Sequence, residues 1–387
     1  MYHFFGVKSY TVSMKIFLQI LAGLLLAGGL FTFAFYRTPQ ERAFTKNLTA
    51  AKNGNMDAAL EVAYQYESGI GVKQDAKQAL AWYEAAAAQG NVQALWELSQ
   101  IYEQGTLVAH DPEMARAYLL SAAQKGSVNA QETLGNLYEL GKDVPQHTGQ
   151  ALFWFIKAAQ SGSAQAKAKV AAIQQANPEL YENVTQFMQT LQQAEQNDPQ
   201  AQLAVGQAYR AGVAVVRNDE EALSWFTKAW ERSNKTLSQA AWELADQYYK
   251  GEGTPRNDEV AGEWLAQAAE LKNPSAQYQM GEFAYGDNPP RLEDAFAWFS
   301  NAAAQGHAKA QYMTGFMLMQ GQGTAKSVSL AIEFFDKAAQ QNDDAAQYVL
   351  GQIFTKGLGV KKDVAKGTHW LELAAQNGNQ AAQEMLQ

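Results

Sequence analysis

Residues 128–162 read VNAQETLGNLYELGKDVPQHTGQALFWFIKAAQSG, and residues 344–378 read DAAQYVLGQIFTKGLGVKKDVAKGTHWLELAAQNG. Set one above the other, the two stretches agree wherever a helix must be packed, ended or capped. Residues 57–90, DAALEVAYQYESGIGVKQDAKQALAWYEAAAAQG, agree with both. A large, mostly aromatic residue returns at Trp82, Tyr118, Trp154, Trp225, Trp264, Trp298, Phe334 and Trp370, in steps of 36, 36, 71, 39, 34, 36 and 36. The step of 71 spans one degenerate unit. Self-similarity at a fixed period of this length is the mark of a repeat array, in which one unit cannot bury its apolar face alone and stacking makes a continuous core.

Each column of the repeat has a physical reason. A first helix, A, carries apolar residues at helical spacing, as at Leu134, Leu137 and Tyr138. A small residue stands at Ala63, Ser99, Gly135, Ala171, Gly206, Ala245, Gly281, Gly315 and Gly351, which lets two helices approach closely. Gly69, Gly105, Gly141, Gly212, Gly251, Gly321 and Gly357 follow where helix A should end in a left-handed residue. Asp75, Asp111, Asp219, Asp258, Ser327 and Asp363 read as caps of a second helix, B, with Pro112 fitting the first helical position. Helix B ends in a small pair such as Ala158-Ala159 or Ala374-Ala375, and the recurring aromatics read as core packing.

The spacing therefore predicts an all-α solenoid of helix pairs. Residues 40–56 read as a capping half-repeat, since KNLTAAKNG at 46–54 matches the end of a helix B. Nine units fill 57–378, and 379–387 read as a closing helix. The unit at 164–198 is degenerate: it lacks the Gly loop and turns Gln-rich. It reads as a drifted repeat that still packs, with a hinge or a specialised surface as the functional alternative. The unit after Lys272 is shortened around Gly286-Asp287-Asn288-Pro289-Pro290.

The pattern A-x-x-x-L-G-x-x-Y-x-x-G-x-G-V-x-x-D-x-x-K-A-x-x-W-[YF]-x-x-A-A-x-x-G resembles the Sel-one-like repeat family, a relative of the tetratricopeptide repeat. The resemblance covers about residues 40–387. It implies a right-handed α/α superhelix with helix A on the concave side, used as an adaptor in assembling protein complexes, often in the bacterial envelope or secreted. In the tetratricopeptide geometry, the helix A positions just after the small column face the groove. On that basis the candidate partner-binding residues are an acidic row, Glu67, Glu103 and Glu139, then Arg210, and an apolar set, Tyr249, Phe316 and Met319. The row would receive a basic partner and the apolar set would anchor it.

Residues 16–36, IFLQILAGLLLAGGLFTFAFY, run from Ile16 to Tyr36 without a charge, between Lys15 and Arg37. A bilayer crossing needs about 20 mostly apolar residues. The reading is a single-pass anchor, with residues 1–15 a tail and Met14 a candidate true start. Cleavage as a signal peptide near Thr32-Phe33-Ala34 is the alternative. Export segments open this way, so the body is expected outside the cytoplasm, in the periplasm against a bacterial inner membrane, although flanking positive charge is nearly balanced. Residues 1–36 carry Lys8 and Lys15 and no acid, leaving 28 bases against 39 acids, a net of −11, in the remainder. An acidic body repels phosphate backbones, and nucleic acid is not an expected partner.

Signals for chemistry are sparse. The chain has no cysteine, which removes disulfides, thiolate metal sites and cysteine nucleophiles. His3, His110, His147, His307 and His369 fall in different units without metal-ligand spacing, and His147 occupies a capping column. The loops G-I-G-V-K, G-Q-G-T-A-K and G-L-G-V-K-K lack G-K-[ST] and follow a helix rather than a strand. No cofactor or metal is expected. The leading reading is an anchored adaptor that binds a protein or peptide; the alternatives are a cleaved, secreted factor and a cell-wall or β-lactam-related hydrolase. Members tied to that chemistry are cysteine-rich, unlike this chain.

Overall fold

The computed structural model of the chain describes residues 37–386, so the apolar segment 16–36 and the tail before it lie outside the described residues. Among the described residues every element is a helix, and no helix is long and apolar enough to cross a membrane. They divide into two compact units between Ala176 and Asn177. The first opens with α1 (Pro39–Lys52) and continues as pairs α2 (Met56–Ser68) and α3 (Ala76–Ala88), α4 (Val92–Gln104) and α5 (Pro112–Gln124), α6 (Val128–Leu140) and α7 (Thr148–Gln160), ending in α8 (Ala164–Ala176). The second opens with α9 (Pro178–Glu195). Its pairs are α10 (Pro199–Ala211) and α11 (Asp219–Arg232), α12 (Ser238–Lys250) and α13 (Asp258–Glu270), α14 (Pro274–Gly286) and α15 (Leu292–Ala304), α16 (Ala308–Gln320) and α17 (Val328–Ala339), and α18 (Asp344–Lys356) and α19 (Val364–Gln376). α20 (Gln380–Leu386) closes it.

One hydrogen bond sets the register inside seven of the eight pairs, and in the shortened α14–α15 pair the Arg291 N–H donates instead to the Ala284 carbonyl seven residues back. The backbone N–H of the helix B cap donates to a carbonyl near the end of helix A: Asp75 to Tyr66, Asp111 to Tyr102, His147 to Tyr138, Asn218 to Tyr209, Asn257 to Tyr248, Ser327 to Leu318 and Asp363 to Phe354. The span is nine residues in all seven (66 to 75, 209 to 218). Helix A turns off at a glycine with φ between 65° and 74°, at Gly69, Gly105, Gly141, Gly212, Gly251, Gly321 and Gly357, a conformation that costs other residues a steric clash. The nine-residue span also corrects two expected caps. Asn218 and Asn257, not Asp219 and Asp258, accept from the N3 backbone N–H, at 3.1 Å each. The displaced aspartates sit in the first turn and pair with Arg217 and Arg256 at 2.9 and 2.8 Å. His147 does cap α7, its Nδ1 accepting from the Gln150 N–H at 2.9 Å.

Packing within a pair sets a large buried side chain against a small residue, and in four pairs it is a ring against bare backbone. A Cβ built on Gly206 would lie 2.6 Å from the Phe226 ring, one on Gly281 2.7 Å from Phe299, and one on Gly315 3.0 Å from Phe335. The partner follows twenty residues after the small one (206 to 226, 315 to 335), and eighteen after in the shortened unit (281 to 299). The deepest column is therefore Tyr83, Leu119, Phe155, Phe226, Leu265, Phe299, Phe335 and Leu371, all buried. It lies one residue after the recurring aromatics. Of these only Trp154 is fully buried, and the others are half-buried, with Trp264 and Trp298 covering the core around Phe226 and Phe334 and Trp370 covering that around Phe335.

Two contacts join one pair to the next. In helix A a buried Gln side chain reaches back eight residues and donates to the last Ala carbonyl of the preceding helix: Gln131 to Ala123, Gln202 to Ala194, Gln277 to Ala269, Gln311 to Ala303 and Gln347 to Ala339, at 3.0–3.2 Å. Each of these carbonyls also accepts a backbone N–H from the turn that follows its helix, so the Gln amide is its second donor. Three of these Gln also accept from the end of helix B in their own repeat, from Gln305, Gln341 and Asn377 at 2.8–2.9 Å. The second contact explains the G-x-G loops. Gly71, Gly253 and Gly323 lie against the carbonyls of Gln40, Asp219 and Leu292 in the first turn of the preceding helix B, closer than any Cβ allows.

Two outcomes follow for stability. Gly206→Ala adds a methyl inside the Phe226 contact, and overpacking costs about 1–3 kcal/mol. Ala gains about 1 kcal/mol over Gly in a helix, so the net effect is a loss. In a Phe226→Leu background, which copies the Ala245/Leu265 pair, Gly206→Ala should be neutral or stabilising. An equal cost in both backgrounds, read by thermal unfolding, refutes the contact. Gln347→Leu removes one of the two hydrogen bonds to the Ala339 carbonyl, which keeps the Asn342 N–H, together with the bond from Asn377, and should cost about 0.5–1.5 kcal/mol by urea unfolding. Gln131→Leu should cost less, because Gln131 Oε1 is buried and accepts no hydrogen bond among the described residues.

Candidate partner-binding surface

Once packing and capping are satisfied, the helix A faces carry what remains for recognition. In the first unit the three glutamates sit one repeat apart, but their surroundings differ. Glu67 on α2 accepts from the phenol of buried Tyr83 at 2.5 Å. Tyr64 lies edge-on to that ring at 5.5 Å and donates to Glu97 of the next helix A at 2.6 Å. Burial first, and then the neighbouring carboxylates, push both phenols up, which keeps them protonated as donors. Glu139 on α6 is paired with Lys169 of α8 at 2.5 Å. Glu103 on α4 is exposed and lines a cleft of about 190 Å³ with Trp96, Gln100, Arg116 and Lys142. Arg116 has no ion-pair partner among the described residues, and Lys142 meets Asp143 only at 4.0 Å. The structure thus replaces a uniform acidic row with one open position, and it places unspent positive charge beside that position.

In the second unit Arg210 is bound into a network. Its guanidinium donates to Glu243 at 2.5 Å and to Asp246, and its Nε lies 3.6 Å from Glu252. Glu243 is only 7% exposed and also accepts from Gln207 and Gln239, both at 2.9 Å. Arg217 and Lys250 extend the network to Glu252 and Asp246 at 2.9 and 2.8 Å. Arg210 is the counter-charge that makes burial of Glu243 tolerable; a buried carboxylate without one is costly.

The apolar set divides as well. Tyr249 on α12 is 54% exposed, with the Arg256 guanidinium 4.9 Å over its ring, an arrangement attractive through the ring quadrupole. Phe316 and Met319 on α16, expected as exposed anchors, are half-buried. Phe316 stacks with Tyr312 at 6.5 Å and packs on the cores around Phe299 and Phe335, and Met319 packs on the latter. A stacked helix A has neighbours on both sides, so positions beside the small column are drawn partly inward. Sequence reasoning missed Trp96 and Arg116, and also Phe283 on α14, which is 51% exposed. Phe283 stands in the column of buried Ile101, Met317 and Ile353. The visible signal was the shortened loop of its repeat, which lacks the G-x-G that packs on the preceding helix B elsewhere.

Among the described residues no group of three His, Asp or Glu side chains comes together as a metal cage. His307 caps α16, its Nδ1 accepting from the Ala310 N–H at 3.2 Å, and it stacks on Tyr278 at 4.8 Å. Burial holds its pKa below the usual imidazole value, which keeps it neutral as a cap acceptor requires.

The Sel1 repeat family model matches residues 57–91, 92–127, 128–163, 199–234, 238–273, 274–307, 308–343 and 344–379. It passes over the degenerate stretch that forms α8 and α9. Among solved structures, the chain is 30% identical to c5321, described as a protective antigen present in uropathogenic Escherichia coli strains displaying an SLR fold. That match covers 88% of this chain and 73% of that one, with a TM-score of 0.44. It is 29% identical to a Sel1 repeat protein from Oxalobacter formigenes, over 88% of this chain and 89% of that one, with a TM-score of 0.45. No curated protein matches significantly. With eight matched units over most of its length, and helix pairs to correspond, the chain belongs to the Sel1 repeat family.

Proposed function

We propose that this chain is a membrane-anchored adaptor that docks a protein or peptide on the helix A faces of its repeats, with the body in the periplasm of a bacterial cell. Sel1-repeat proteins are mostly non-enzymatic scaffolds that bind other proteins. The observation that carries the reading here is the exposed Tyr249 ring beneath Arg256. Nothing in the packing requires it, and aromatic and Arg side chains are where binding energy concentrates. The cleft of Glu103, Arg116 and Trp96 supplies a second contact of mixed charge in the first unit. A peptide offering both an apolar anchor and paired charges suits these two surfaces. Anchoring is supported by the 21 uncharged residues from 16 to 36, a length that suits a retained crossing better than the shorter apolar core of a cleaved signal.

The test separates binding from folding. A partner captured by the wild-type chain from membranes is purified and its affinity measured. Tyr249→Ala should weaken it about tenfold or more, as for a residue worth over 1 kcal/mol, while the melting temperature holds. Phe316→Ala should show the reverse emphasis, with melting lowered because a core contact is lost. If Tyr249→Ala and a Glu103→Ala/Arg116→Ala pair both leave affinity unchanged, the helix A faces are not the docking surface. An alkaline phosphatase fusion after Gln387 should be active if the body is outside the cytoplasm, and the mass of the mature chain separates a retained anchor from a cleaved one.

A further inference from the structure

We infer that α1 is a basic foot that rests on anionic lipid headgroups of the bilayer crossed by residues 16–36; the inference rests on the anchoring reading above. α1 stacks like a helix B on the first repeat. The Phe44 ring meets Tyr66 edge-on at 5.2 Å, the Asn47 amide donates to Gln65 at 3.4 Å, Ala51 is buried, and Gly71 lies against the Gln40 carbonyl. These contacts use one side of the helix. The other side is an open hollow of about 580 Å³ lined by Arg37, Arg42, Lys46, Thr45, Thr49 and Asn53.

That face is positive in a chain whose remainder after residue 36 carries a net −11. From residue 37 to 52 the bases are Arg37, Arg42, Lys46 and Lys52, and the one acid is Glu41. Glu41 is already engaged, accepting from the Thr38 N–H at 2.7 Å in a capping box. Arg42 and Lys46 have no ion-pair partner among the described residues, and they stand four apart on one face of the helix. Arg37 donates to Thr45 at 3.1 Å, which turns it toward the same face.

Position selects the occupant. Arg37 follows directly on the uncharged segment. At about 1.5 Å per residue the helical stretch from Pro39 to Lys46 extends only about 10 Å from that junction, comparable to the distance over which a charged surface acts in physiological salt. Basic residues next to a membrane segment are drawn to anionic lipid. The acidic remainder of the body is repelled by the same surface, so attraction at α1 and repulsion elsewhere both turn this face toward the bilayer. Because α1 is packed into the first repeat, fixing it fixes the stance of the repeats stacked on it.

The experiment uses the full chain reconstituted into vesicles of phosphatidylcholine alone or with phosphatidylglycerol. The native chain has no cysteine, so Thr49→Cys gives a single attachment point for a dye on this face. Contact is read as quenching by a headgroup-labelled lipid. Quenching should be stronger with phosphatidylglycerol and fall by more than half in an Arg42→Gln/Lys46→Gln variant, and also in high salt, with vesicle association unchanged. Inorganic phosphate should compete no better than chloride at equal ionic strength. Equal quenching in both vesicles, or none lost in the variant, while the chain still floats with the vesicles, overturns the foot and leaves the anchor standing. Specific competition by phosphate overturns it in favour of a free-anion site. A chain that floats with neither vesicle removes the anchor and the inference together.

Discussion

A large buried side chain of helix B pressed against a small residue of helix A is the contact on which each repeat depends, and in four pairs it is a ring against bare glycine backbone. Gly206, Gly281 and Gly315 sit in helix interiors, where glycine is about 1 kcal/mol worse than alanine. The opposing Phe226, Phe299 and Phe335 are fully buried, and burying such a side chain is worth roughly 1.5–3 kcal/mol. The second term exceeds the first, so the intrinsic weakness of the helix is tolerated. The exchange also fixes geometry, since the ring reaches full burial only if the two helices meet at the glycine. The nine-residue hydrogen-bonded span between them then delivers helix B in register.

Helices of 13 residues are marginal alone in water, so their stability comes from stacking. The stacking contacts are specific rather than merely apolar. A Gln amide closes the carbonyl end of one helix from inside the next, and a second loop glycine lets backbone sit on backbone. These demands occupy most of helix A. The residues left for partners are few: Tyr249, Phe283 and the cleft around Glu103. Paired groups such as Arg210 with Glu243 look equally available in a sequence, yet they hold neighbouring repeats together.

The fold was legible because its period is written in residues that break or cap helices, and those signals are local. What failed to show was whatever depends on distance across repeats. Arg210 and Glu243 are 33 residues apart and Glu139 and Lys169 are 30 apart, so nothing in either neighbourhood marks them as partners. The caps Asn218 and Asn257 were passed over for Asp219 and Asp258 because both residue types cap equally well; only the hydrogen-bonded span to Tyr209 and Tyr248 decides between them. The buried column was read one residue early because Trp outranks Phe in size, whereas it is the smaller ring that fits against glycine. The Gln column was in view as repeated Ala-Gln pairs, but an amide on a helix reads as solvated until the carbonyl it closes is seen.

The degenerate stretch tests this account from the other side. Between α8 and α9 the usual seven-residue loop is replaced by Asn177 alone, whose Oδ1 accepts from the Leu180 N–H at 3.0 Å. With the loop goes its glycine turn, and with that the second glycine that seats on a preceding helix B. Lys167 stands where other repeats place Gln, and it is exposed. Ala166 is the one buried residue of α8. The ring-on-glycine contact is missing as well, since Ala171 rather than a glycine holds the small column. The glycine turn, the second loop glycine and the Gln of helix A are thus absent from this unit, although Lys169 still pairs with Glu139 and the Ala194 carbonyl still accepts from Gln202. The division into two compact units falls inside it, at Ala176 and Asn177. A single drifted sequence accounts for both the family match that skips these residues and the place where the chain divides, because the residues that identify the repeat are the residues that hold it to its neighbours.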